Sequence, residues 1–102
     1  DSVDRDQSSA RKALENFERL EKQFPDNQYS KRAGEHIHNC LKSLAGHEFY
    51  VGEFYFKTKH FKAALHRFKT VVYDYPDVGI HRKAMEYIAQ CEQLLEKSGA
   101  VN

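Results

Sequence analysis

Residues 46–77, GHEFYVGEFYFKTKHFKAALHRFKTVVYDYPD, decide the fold of this 102-residue chain. The stretch opens on an aromatic run, turns at Lys59 and His60, and closes on Tyr75-Pro76-Asp77. Within it Tyr55, Ala64, Phe68 and Pro76 follow Gly52 at offsets of 3, 12, 16 and 24 residues. Two packed helices need such an arrangement. Small residues at Gly52 and Ala64 let the helices approach, Tyr55 and Phe68 fill the space beside them, and Pro76 ends the second helix.

These spacings match the tetratricopeptide pattern, a helix-turn-helix unit of about 34 residues. Outward from this unit the sequence repeats itself. A shift of 51 residues sets Arg11–Leu44 against Lys62–Leu95. Ala13 then meets Ala64, Leu14 meets Leu65, Phe17 meets Phe68, and Phe24-Pro25-Asp26 meets Tyr75-Pro76-Asp77. Further on, Ala33 meets Ala84, Ile37 meets Ile88, Cys40 meets Cys91 and Leu44 meets Leu95. The shift is one repeat plus half of another, so a half-repeat helix must be accommodated.

A fused helix does this. Tyr29, Ala33, Ile37, Cys40 and Leu44 form one stripe, and no proline or polar loop separates Leu44 from His47. The spacing predicts one helix near 28–59, with Gly46 as its weak point. From Phe49 to Phe56 apolar side chains occupy most faces, which predicts a helix covered on several sides rather than a peptide groove. Upstream, Ala10, Ala13, Leu14, Phe17, Leu20 and Phe24 mark an apolar face with Ser8 or Ser9 as the cap, after a polar lead-in over 1–7. Pro25 stops that helix, and Asp26 or Asn27 caps the next. Phe61–Tyr75 should turn Ala64, Leu65, Phe68, Val71, Val72 and Tyr75 inward. The last helix should start near Gly79 after an Asp77 cap and end at Gly99, with Ile80, Ala84, Ile88, Cys91 and Leu95 inward.

The expected fold is all-α: a tetratricopeptide-type antiparallel stack, an α-solenoid of about four helices. The expected divisions are 1–27 as a partial repeat, 28–45 as an extra half-repeat helix fused to 46–77 as the complete repeat, and 78–102 as the final helix. In such a stack each unit buries its apolar face only against its neighbours. The first helix lacks a full upstream partner, so the chain reads as a segment excised from a longer array, with apolar surface at its ends.

A net charge of +1 gives the chain as a whole no pull toward nucleic acid or an anionic membrane. No apolar run reaches the ~20 residues of a membrane span, and no signal peptide is recognisable. His36, Cys40 and His47 can share a helix face, while His38, two residues from His36, points elsewhere. The repeat of Cys40 as Cys91 favours a small buried residue over a ligand, and no metal or cofactor is expected. A Cys40–Cys91 disulfide requires the two Cα atoms within about 7 Å. No catalytic motif is recognisable, so the chain is expected not to be an enzyme.

The basic stretch Lys57, Lys59, Lys62, Arg67 and Lys69 contains no acid. Arg67 lies about 100° from the centre of its helix's apolar face, where a guanidinium can rest on apolar surface and offer its fork to a carboxylate. Arg67, with Lys59, Lys62 and His66, is the expected partner-binding set. Charge reversal at Arg67 is expected to weaken partner binding and leave helicity intact.

The order of motifs resembles the BamD family, outer-membrane lipoproteins of the bacterial β-barrel assembly machinery. The resemblance rests on Arg5-Asp6, Ala10-Arg11-Lys12-Ala13 with Phe17, and Phe24-Pro25-Asp26-Asn27-Gln28-Tyr29. It continues through Leu44-Ala45 with Glu48, Tyr50-Val51, Phe54-Tyr55, Ala63-Ala64 with Arg67, and Asp74-Tyr75-Pro76-Asp77. It covers nearly the whole chain and corresponds to the family's later repeats. It implies a periplasmic, outer-membrane-associated, non-catalytic scaffold. The implied partners are the periplasmic domains of the barrel-forming subunit BamA, other assembly lipoproteins and unfolded outer-membrane proteins. An arginine matching Arg67 lies at the BamA contact in the family. Any membrane attachment would run through a lipid anchor absent from this segment. Lys59-His60 departs from the Gly-Asp usual at that turn. The alternative is a generic tetratricopeptide adaptor of the cell envelope or cytosol.

Overall fold

A computed structural model describes the backbone of residues 2–99 and the side chains of 8–99. The side chains of Arg5 and Asp6 lie outside that range. Four helices follow in order: α1 (Ser2–Gln23), α2 (Gln28–Lys57), α3 (Phe61–Asp74) and α4 (His81–Lys97). Among the described residues there is no strand, and the four consecutive helices are the all-α, tetratricopeptide-type set expected. Two compact units divide the chain, Asp1–Leu44 and Ala45–Asn102, with α2 contributing to both.

In the first unit α1 starts at Ser2, so Ser8 and Ser9 sit inside the helix and do not cap it. The polar lead-in from residue 2 is helical. Helices α1 and α2 come close where Phe17 lies over Gly34; a Cβ there would collide with the ring tip. Asn27 caps α2, its Oδ1 accepting from the backbone N–H of Tyr29 at 2.8 Å and Ser30 at 3.3 Å. The apolar face is only half covered: Leu20, Phe24 and Tyr29 are exposed, as are Ala33 and Cys40. Leu41, off the expected stripe, is the buried one in this part of α2.

The second unit holds the core. Ala64, Leu65, Phe68 and Val71 of α3 and Ala84, Cys91 and Leu95 of α4 are buried together. Tyr75 is buried as expected, and Val72 packs against the cluster. Phe68 is the keystone. Its ring lies under Gly52 of α2, where an added Cβ would meet Phe68 Cε1 at 2.8 Å. On another side Phe68 stacks on Tyr87, with centroids 4.4 Å apart and planes 3° apart. Phe49 and Phe56 meet Tyr87 edge-on at 5.8 and 4.9 Å. Stacked and edge-to-face contacts of this kind add to the area they bury.

Helix α2 runs unbroken through Gly46 and stops at Lys57. Its end is a Schellman turn. His60 N donates to Tyr55 O at 2.8 Å, Lys59 N donates to Phe56 O at 3.1 Å, and Lys59 adopts φ +64. Such a turn favours glycine at the left-handed position, because a Cβ there is crowded. Thr58 helps to hold the corner: its Oγ1 bonds Phe54 O at 3.0 Å and lies 2.8 Å from His60 Nδ1. Lys59→Gly should therefore raise stability by about 1 kcal/mol. A urea melt of the variant, with an unchanged slope and a higher midpoint, is the check; a lower midpoint would show that the lysine side chain holds the corner.

Between α3 and α4, Asp77 Oδ1 accepts from Gly79 N at 2.8 Å and His81 N at 3.4 Å. These bonds, that to Gly79 first, hold the Asp77 carboxyl below its ordinary value. Helix α4 begins at His81 rather than Gly79, because Gly79 takes φ +103.

Candidate partner-binding surface

Arg67 sits on the flank of α3, one residue from buried Phe68. Its Nη1 donates to Glu48 Oε2 across to α2, at 2.9 Å. Glu48 is only 3 % exposed, while the Arg67 side chain keeps 35 %. The guanidinium is held above its ordinary range, first by the hydrogen bond to Glu48; partial burial opposes this, and Tyr55 adds a hydrogen bond. A buried carboxylate needs such a partner. The fork expected to face another protein is thus already engaged within the fold, with a remainder in solvent. Charge reversal here would set a new carboxylate against a buried one.

The other expected contacts do not gather around Arg67. Lys59 occupies the exposed turn. Lys62 and His66 are exposed on α3 and fall, with Lys69 and Tyr73, at steps of four, three and four residues. That spacing puts them on one stripe, roughly 130° around the helix from Arg67. The aromatic run also divides. Phe49, Val51, Tyr55 and Phe56 are covered, but Tyr50 and Phe54 are 68 % and 57 % exposed. Four residues apart, these two rings share the side of α2 that faces away from Gly52 and Phe56. The expectation that the whole run is core fails for them, because α3 and α4 cover only one side.

The model of the family described as "YfiO: Outer membrane lipoprotein" matches residues 1–101. The chain belongs to this family. A curated relative, the outer membrane protein assembly factor BamD of Haemophilus influenzae, is 30 % identical over 99 residues, covering 97 % of the chain. The chain spans 37 % of that relative's length. No solved structure matches significantly. The YfiO family is one of outer-membrane lipoproteins, which bears out the resemblance and the outer-membrane association drawn from the sequence. No described helix is long and apolar enough to cross a membrane.

In this YfiO-family chain the remaining reactive side chains stand apart. Cys40 is exposed, which corrects its assignment as a core residue; its Sγ lies 3.7 Å from His36 Nε2. Cys91 is buried, and desolvation pushes its thiol up to about 11. Both are free thiols. Among the described residues no three His, Cys, Asp or Glu side chains converge as metal ligands would. Beside Cys40, a groove of about 470 Å³ is lined by Ala10, Ala13, Ile37 and Leu44 among others.

Four residues of the second unit escape sequence reasoning. Glu48 looks like one more surface acid until Arg67 is placed beside it. Tyr87 is off the aliphatic stripe of α4, yet its ring fills the core edge while its hydroxyl donates to Glu53 at 3.0 Å. Burial first, and Glu53 second, raise the Tyr87 phenol above its ordinary value. Tyr50 and Phe54 carry no sequence signal that separates them from their covered neighbours.

Proposed function

We propose that the chain is a non-catalytic, protein-docking segment of a factor that assembles outer-membrane proteins. The observation that carries this reading is the family match over residues 1–101, joined to the assembly function in the relative's name. The helical stack supports it, since arrays of this kind present rigid helix faces to partners. The docking face we infer is the exposed side of α2 at Tyr50 and Phe54; the solvent-facing part of Arg67 is a separate candidate contact. Exposed aromatic rings are the commonest interface anchors. The proposed partner is the periplasmic region of the barrel-forming subunit, with other assembly lipoproteins and unfolded outer-membrane proteins as further candidates. The repeat divisions over 1–102 belong to the same reading.

The test is a titration of that partner region against the chain and its Tyr50→Ser/Phe54→Ser variant. Both rings are mostly in solvent, so the variant should keep its melting temperature. Binding should weaken by at least tenfold, the scale of losing one or two anchoring side chains. Unchanged affinity in a folded variant would remove this face from the interface.

A further inference from the structure

The stretch 54–73 holds five lysines and arginines and not one acid, so the rest of the chain carries a net charge of −4. Arg67 is used on Glu48. Among the described residues, neither ion pair involves Lys57, Lys59, Lys62 or Lys69. Among the described residues, then, those four charges have no carboxylate at ion-pair distance. Two of them, Lys62 and Lys69, lie with His66 on the single stripe of α3 that ends in Tyr73. Tyr73 is 76 % exposed. From residue 62 to residue 73 the stripe is about 16 Å long.

We propose that this stripe is a contact surface for an anionic phospholipid bilayer. Lysine stems can lie along the headgroup layer while the ammonium groups meet phosphate, and a tyrosine ring is stable at the same depth. The family description supplies the membrane: these are outer-membrane lipoproteins. A single acyl chain binds a bilayer only marginally, and a basic patch is a known kind of second signal that makes attachment stable. A linear stripe of cations with one terminal aromatic ring suits a surface of mobile phosphates. An acidic polypeptide would gain more from a groove with fixed anchors. The proposal is independent of the docking face on α2. The two surfaces use different residues, so either can fail alone.

The experiment is vesicle flotation of the 102-residue chain. One set of vesicles is pure phosphatidylcholine; the other includes phosphatidylglycerol. The chain should float with the anionic vesicles only, and less so as salt rises. Each lysine near an anionic surface is worth about fivefold in affinity, so Lys62→Gln/Lys69→Gln should lose about thirtyfold. Tyr73→Ala should weaken binding further, and Tyr50→Ser/Phe54→Ser should bind vesicles as the parent does. Far-UV circular dichroism of each variant confirms that the helices remain. No preference for anionic vesicles, or equal flotation of the lysine variant, overturns the proposal. So does a chain that ignores vesicles but captures a poly-glutamate peptide through the same lysines, which would assign the stripe to an acidic protein.

Discussion

Arg67→Glu is expected to destabilise the second unit by about 3 kcal/mol, before any interface is tested. The substitution leaves Glu48 at 3 % exposure with its cation gone and a second carboxylate opposite. Breaking a buried pair from one side costs roughly 3–5 kcal/mol; the 35 % exposure of the Arg67 side chain places this case at the low end. Such a loss is a large part of the ~5–15 kcal/mol that holds a domain folded. Urea melts of Arg67→Glu, Glu48→Leu and Arg67→Met/Glu48→Leu make the check. The double variant should recover most of the loss of Arg67→Glu, because apolar replacement of both partners removes the stranded charge. A charge-reversed chain as stable as the parent would show that Glu48 finds another partner. For binding studies, Arg67→Lys keeps the charge and is the cleaner probe.

Phe68→Ala should cost about 3–5 kcal/mol, the range for removing a fully buried phenyl ring. Phe68 has no exposed surface and is gripped by Gly52 above, Phe49 edge-on at 5.5 Å and Tyr87 in a stack. Gly52→Ala should cost about 1–3 kcal/mol in the parent, because the new methyl overlaps the ring. In the Phe68→Ala background the same methyl enters vacated space, so the double variant should lose less than the two singles together. Thermal melts of all four proteins measure this coupling. Strict additivity would mean that Gly52 and Phe68 do not sense each other.

The long helix, the turn at Lys59-His60 and the α3 core were legible because each rests on local spacing. Gly52, Ala64 and Phe68 fall at offsets that only two packed helices satisfy, and the fused helix follows from the absence of a break between Leu44 and His47. The 51-residue register was less informative about burial. It equates Cys40 with Cys91 and Ala33 with Ala84, yet only the second of each pair is buried. Similar residues at repeat positions record a shared helix face, whereas burial depends on what lies against that face. The same limit applies to Arg67. Its place on the flank could be counted along the helix, but Glu48 lies nineteen residues away on another helix. Tyr50 and Phe54 were indistinguishable from Phe49 and Phe56 by composition. Only the direction from which α3 and α4 approach separates exposed rings from covered ones.

The two thiols make the chain its own chemical clock. Cys40 in the first unit is open to solvent, so a thiol reagent should label it without waiting for unfolding. Cys91 in the second unit is sealed beneath the core and held as a protonated thiol, so it reacts only when α4 lifts away. One cysteine therefore records reagent supply, and the other records how often the second unit opens.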